Sequence, residues 1–307
     1  MHSLKTEKEK LKLDFADFWP GFQKSDNFFV QLLSQRYQLV LDEEPELLLF
    51  SVFGKQNRRY RCLKIQYIGE NVRPNFYEAD YCLSFDYPNT ARNYRWPLYN
   101  LYCNPRDIPF NIEMPNKFCC MMVSNPSGFF RNRFYHALNA RKSVDSGGKY
   151  LNNVGGPVPN KLDFLSNYRF SLAIENAAYP GYTTEKILES KMAGTIPIYW
   201  GNPLVYEDFN SDSFINVHGF PSITAAVDHI LEVDSDPVFY DKIRKASLLK
   251  NGEDTPYCNR NLLLDWLENA IKGGIKRSSW PILKDFSYRF DAWKTRRFDH
   301  LESKKIQ

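Results

Sequence analysis

The chain has 307 residues, enough for one large or two medium domains with a real core in each. A net charge of +4 makes no case for nucleic acid, and 43% hydrophobic residues is ordinary for a globular chain. Aromatic content is high at 16%, with 23 Phe and 19 Tyr, which suits sugar-binding clefts and aromatic cores alike.

In chain order, the opening MHSLKTEKEKLKLDF lacks the apolar core of a secretion signal, and no later run approaches the roughly 20 apolar residues of a membrane span. Lys12–Phe15 and Tyr37–Leu41 are short apolar runs. Between them Asn27–Ser34 carries Phe28, Leu32 and Leu33 at helical spacing. Leu47–Phe53 predicts a buried strand ending at Gly54, and Cys62–Ile68 another, followed directly by Gly69 and Glu70. Strands alternating with helices argue for a parallel sheet, whose ligands bind beyond the carboxyl ends of the strands. Glu70 occupies such a place.

The Pro- and Asn-rich stretch Asn100–Lys117 reads as a connection. A second α/β region follows: Phe118–Val123 as strand, Phe129–Asn139 as helix, Phe170–Ile174 as strand, then a helix and the strand of TIPIYWG. Ser146–Asn160, with four glycines and two prolines, predicts an exposed loop, and Ser222–Glu232 a helix. The GxGxxG dinucleotide fingerprint is absent, which weakens a dehydrogenase reading. The expected division is 1–112, 113–270 and a tail over 271–307.

Four positions carry chemistry on their own terms. Lys186 lies in the first turn of a helix, against the positive end of its dipole, which signals an anion nearby; Thr183 or Thr184 is the expected N-cap. Arg131 opens a helix whose Phe130, Phe134 and Leu138 mark the buried face, so its guanidinium can fork onto a diphosphate; a solvated surface arginine is the alternative, the role expected of Arg133. Glu70, in a polar turn at a strand end, is either a capping carboxylate or a base. Glu185, next to Lys186, is placed to accept ribose hydroxyls.

The string ENAAYPGYTTEKI (Glu175–Ile187) before TIPIYWG, the block SNPSGFFRNRFYHALN (Ser124–Asn139) and YIGENVRPNF (Tyr67–Phe76) closely resemble the signatures of the α1,3-fucosyltransferases, glycosyltransferase family 10, in the family's order. The resemblance implies an α/β glycosyltransferase-B fold of two Rossmann-like domains facing a cleft. It implies a general base at Glu70 for inverting transfer of L-fucose from GDP-L-fucose to O3 of N-acetylglucosamine in a β-galactosyl-N-acetylglucosamine unit. It also implies donor contacts from Arg131, Lys186, Glu185, Tyr182, Asn176, Tyr67 and Ser124, with a core tyrosine as the alternative for Tyr67. A transferase of the same fold with another nucleotide sugar, and a nucleotide- or glycan-binding protein without turnover, are the rival readings.

Asp234-Ser235-Asp236 looks like a metal-binding DxD, but the apolar spacing before it is helical, so it reads as a helix-terminating loop. The five histidines, His2, His136, His218, His229 and His300, have no paired ligand spacing. No metal is expected to be required, a divalent ion at most stimulating turnover. The six cysteines form no CxxC pair and no Asn-x-Ser/Thr sequon occurs, so the expected setting is a bacterial cytoplasm. The tail from Lys276 has nine Lys/Arg against four acids, interleaved with Trp280, Phe286, Tyr288, Phe290, Trp293 and Phe298. It is read evenly as an interfacial helix on the inner membrane surface or as a segment packing back on the first domain.

Overall fold

The computed structural model describes residues 8–102, 114–250, 256–277 and 281–306. Residues 103–113 of the expected connection, Cys103, His2 and Trp280, and the side chains of Phe286 and Tyr288, lie outside the described residues. The chain divides into two compact units. Unit 1 comprises Met1–Trp96 and Asn259–Lys294, and unit 2 comprises Pro97–Cys258 and Thr295–Gln307.

Unit 1 is built on six parallel strands in the order β2-β1-β3-β4-β5-β6. They are β1 (Glu9–Ala16), β2 (Tyr37–Leu41), β3 (Leu47–Phe50), β4 (Leu63–Tyr67), β5 (Tyr81–Ser84) and β6 (Asn93–Arg95). Leu47 to Phe50 are all 0% exposed, as expected for a strand covered on both faces. Helix α1 (Phe28–Leu33) is capped by Asn27, whose side chain accepts from the Phe29 and Val30 N–H groups. The short, polar β5 and β6 escape the periodicity. They are stitched by Ser84 Oγ donating to Asn93 Oδ1 at 2.7 Å.

Unit 2 carries five parallel strands in the order β11-β10-β9-β7-β8. They are β7 (Lys117–Met121), β8 (Val144–Ser146), β9 (Tyr168–Ile174), β10 (Ile196–Trp200) and β11 (Ile215–Asn216). Its helices are α2 (Phe129–Arg141), α3 (Lys161–Leu165), α4 (Lys186–Met192), α5 (Ile223–Ser235) and α6 (Pro237–Lys245). Phe130 stacks on Trp200 with ring centroids 4.1 Å apart, and Phe134, Ile174, Ile198 and Ile230 fill the same core.

Three expectations need correcting. Helix α7 (Arg260–Gly273) belongs to unit 1, not to the second α/β region. Trp266 Nε1 donates to the Ala91 carbonyl at 3.2 Å, and Arg36 pairs with Asp265 and Glu268. The loop after Ser146 is not exposed throughout. Gly147 and Gly148 are buried beside the end of β7, where a Cβ on Gly148 would lie 1.9 Å from the Val123 oxygen. Neither threonine caps α4, because the Thr184 hydroxyl is engaged by Glu175 and the Thr183 hydroxyl meets Asn202 Nδ2 at 3.1 Å.

Asp234 ends α5 in pairs with Lys142 and Arg169, while Asp236 accepts from the Val238 and Phe239 N–H groups as the N-cap of α6. Both acids of the DxD string therefore serve a helix junction. The tail divides its attachments between the units. The backbone N–H groups of Lys276 and Arg277 donate to the fully buried Asp80 of unit 1 at 2.7 and 2.8 Å. Helix α8 (Pro281–Lys305) ends in unit 2, where Asp299 accepts from the Ala178 N–H at 2.7 Å and Ile306 enters the core. No helix among the described residues is long and apolar enough to cross a membrane.

Candidate active site

Both sheets have a switch point, where the chain turns from building one way to building the other. In unit 2 it falls between β7 and β9, and in unit 1 between β1 and β3. Crevices at the carboxyl ends of such strands are the preferred ligand sites of parallel sheets.

In unit 2, β7 delivers the exposed Ser124 and then the loop into α2. That helix begins at Gly128 with no side-chain cap, which leaves first-turn N–H groups available to an anion. Arg131 is 0% exposed. It donates to Asn176 Oδ1 at the end of β9, to the Asn125 carbonyl at 2.6 Å and to the Ser127 carbonyl. Its Nε is buried without a hydrogen-bond partner, and no carboxylate among the described residues pairs with it. Burial pulls the Arg131 guanidinium below its ordinary pKa, against the pull of Glu175. Gly128, at φ 122°, is needed here, because a Cβ would sit 2.9 Å from Arg131 Cζ.

The anion that Lys186 calls for is, within the chain itself, Glu175. This carboxylate is 0% exposed at the end of β9. It accepts from the Thr184 N–H at 2.7 Å, from the Thr184 hydroxyl at 2.8 and 2.9 Å, and from Lys186 Nζ at 2.7 Å. Gly201, at the end of β10, makes room for it, since a Cβ there would meet Glu175 Cγ at 2.4 Å. Burial pulls the Lys186 ammonium down, but Glu175 and Glu185 more than offset it and hold its pKa above the ordinary value. For Glu185, burial pushes up, while Lys186 and Lys161 pull harder, so its carboxyl sits below the usual range. Tyr182 is 2% exposed and close enough to Arg131 to affect its ionisation.

Unit 2 thus gathers Arg131, Asn176, Lys186, Glu185 and Tyr182 around Glu175. The sequence reading missed Glu175. Its only signal is its position, next to Asn176 at the carboxyl end of an apolar run.

Unit 1 holds the other two assigned residues, and it separates them. Tyr67 is 0% exposed and packs against Phe29, with ring centroids 5.3 Å apart, and against Phe18. It is a core tyrosine. Glu70 is exposed, in a tight turn closed by the Val72 N–H donating to its own carbonyl at 2.6 Å. It lines a cleft of about 480 Å³ together with Phe53, Lys55, Gln66, Arg73 and Asn75. That volume is within the range of roughly 300–1,000 Å³ of small-ligand sites.

Residues 13–102 match the family model of the alpha-(1,3)-fucosyltransferase FucT N-terminal domain, and residues 112–245 that of the glycosyltransferase family 10 (fucosyltransferase) C-terminal part. The chain is 34% identical over 271 residues to the alpha-(1,3)-fucosyltransferase FucT of Helicobacter pylori, a match covering 72% of this chain and 56% of that protein. It is 30% identical over 172 residues to a putative fucosyltransferase of Acanthamoeba polyphaga mimivirus, covering 52% of this chain and 27% of the other. The chain spans little more than half the length of the first relative and about a quarter of the second. A crystal structure of an alpha1,3-fucosyltransferase with GDP-fucose superposes with a TM-score of 0.76 at 28% identity, over 89% of this chain and 93% of that one.

Proposed function

The chain belongs to glycosyltransferase family 10 and has its glycosyltransferase-B fold, and on that premise we propose that it is an inverting α1,3-fucosyltransferase using GDP-L-fucose. The observation that carries the donor assignment is the buried cationic crevice of unit 2. Arg131 is fully buried with an unpartnered Nε–H and, among the described residues, no carboxylate on it, while Lys186 beside it lies between Glu175 and Glu185. A buried charge without a counter-charge is costly, and a diphosphate at the switch point would supply one.

In the proposed reaction Glu70 takes the proton from O3 of N-acetylglucosamine in a β-galactosyl-N-acetylglucosamine acceptor. That oxygen forms its bond to C1 of fucose as the bond from C1 to the phosphate oxygen breaks on the opposite face. GDP leaves with the electron pair. Arg131, Lys186 and the uncapped start of α2 stabilise the charge that develops on the diphosphate, each charged contact being worth roughly 2–4 kcal/mol to the transition state. Ser124, Asn176, Tyr182 and Glu185 complete the donor site, with Glu185 on the ribose hydroxyls.

With Arg131 and Lys186 proposed to stabilise the diphosphate, turnover is expected to persist in EDTA. The test is purified protein with GDP-fucose, N-acetyllactosamine and EDTA, followed by mass spectrometry. A product heavier by one fucose supports the reading. GDP-fucose binding without any release of GDP would leave a binding protein, and turnover of other nucleotide sugars alone would move the donor. Arg289, Phe290, Trp293, Lys294, Arg296 and Arg297 are all exposed on α8, which supports a peripheral association with an anionic membrane surface on the cytoplasmic side.

A further inference from the structure

The switch point of unit 1 is held by a strained residue for which the reaction as described has no use. Asp17, just past β1, has φ 58°, the left-handed region that non-glycine residues rarely adopt. Its carbonyl accepts from the Phe53 N–H at 3.0 Å. Its carboxylate accepts from the Gln56 N–H at 2.8 Å, the Asn57 N–H at 2.8 Å and Asn57 Nδ2 at 3.0 Å. Gly54 lets the loop pass, since a Cβ there would fall 2.2 Å from Asp17 Oδ1. Just upstream, Ser51 Oγ donates to the Tyr67 carbonyl at 2.8 Å, on the strand that leads to Glu70.

These bonds tie the loop 53–57 to the end of β1 with Phe53 outside the core. Phe53 remains 47% exposed, and it lines the same cleft as Glu70. Around that one aromatic ring the cleft offers hydrogen-bonding groups, among them Gln66, Asn75 and Lys55. An apolar ring face set among polar side chains matches a pyranose, which has an apolar face of C–H bonds and a rim of hydroxyls.

The geometry points to Phe53 as the platform on which a sugar ring of the acceptor stacks, with Asp17 as the positioning residue that holds the platform in the cleft. This inference rests on the reading of Glu70 as the acceptor-side base. The occupant is a neutral saccharide unit of the acceptor rather than the nucleotide sugar.

The experiment compares the wild-type chain with F53A, F53W and D17A. Phe53→Ala should raise the KM for N-acetyllactosamine about tenfold, the scale of one aromatic stacking contact, with the KM for GDP-fucose unchanged. Phe53→Trp should restore it to within about twofold, which a general loosening of the fold would not do. Asp17→Ala should move the acceptor KM in the same direction as Phe53→Ala. Saturation-transfer NMR with N-acetyllactosamine alone gives a readout that needs no turnover: signal from the wild type, lost in F53A. Transfer by the wild type with an unchanged acceptor KM in F53A overturns the platform and leaves the transferase reading standing. Donor turnover with no product on any saccharide counts against the transferase reading itself. If the wild type gives no saccharide signal, or F53A an equal one, the platform is overturned whatever the enzyme's turnover.

Discussion

The two switch points share an architecture and differ in how their polar groups are held. In unit 2 the ionic groups are buried: Arg131 and Glu175 are 0% exposed, and the Lys186 side chain keeps only 16%. In unit 1 the cleft mixes the exposed Glu70 and Lys55 with Arg73, which is buried and already paired with Asp86, and the loop geometry is set by backbone N–H groups converging on Asp17. A buried guanidinium with no carboxylate on it among the described residues, as at Arg131, favours an anionic ligand that can become its counter-charge. A cleft whose buried cation is already paired, and which adds the amides Gln66 and Asn75, favours a neutral one. On the proposed function, one fold therefore serves two kinds of substrate through burial and charge rather than through topology.

The comparison breaks most visibly at Glu70. Glu70→Gln keeps the cleft's shape and removes only the base, so kcat should fall about 10³-fold, within the range of a lost general base. Normal turnover in that variant, measured on N-acetyllactosamine, would remove the assignment. Arg131→Ala and Lys186→Ala should each lower kcat/KM for GDP-fucose about 10²-fold. If only the acceptor KM moved, the division between the units would be wrong.

Glu175→Gln sharpens the argument about burial. It preserves the acceptor for Thr184 but leaves Lys186 without its carboxylate, which should cost about 3 kcal/mol of stability. GDP should then raise Tm more in this variant than in the wild type, because the diphosphate becomes the missing counter-charge. An equal shift in both proteins would argue that the diphosphate does not reach Lys186.

His218 gives a smaller, pH-dependent test of the same region. Its Nε2 accepts from the Gly201 N–H at 3.2 Å, directly beside the glycine that accommodates Glu175. Burial lowers its pKa to about 4, and the Lys305 ammonium pulls the same way. The folded state therefore takes up the proton later than the unfolded chain, and stability should fall as the pH drops from about 6.5 to about 4. The loss is on the order of 3 kcal/mol. Urea midpoints at pH 7.5 and 4.5 should show it, and His218→Asn should flatten the difference. The smallest effect is expected at the tail, where F290A with W293A should weaken binding to anionic vesicles without touching GDP affinity.

Much of this was legible in the sequence, for identifiable reasons. Leu47–Phe50 and Ile196–Trp200 read as strands because strands covered on both faces are unbroken apolar runs. Lys186 betrayed an anion because it opposed its own helix dipole. β5, β6, β8 and β11 were not legible, being short, partly polar and defined by their neighbours rather than by their own pattern. Nothing in the sequence around residue 260 shows which sheet the segment covers, so the expected boundary at 270 falls inside α7, which belongs to unit 1. Asp17 went unseen because its partners Gln56 and Asn57 lie far along the chain, and Glu175 because it meets Thr184 and Lys186 only once the loop after β9 folds back, so nothing local distinguishes either carboxylate from a solvated one.

The most direct test of the central claim is calorimetric titration of GDP into the wild type, E70Q, R131A and K186A side by side. The account predicts equal affinity for the wild type and E70Q, and at least about tenfold weaker binding in both cation variants. Equal affinity in all four, or loss of binding in E70Q alone, would contradict it.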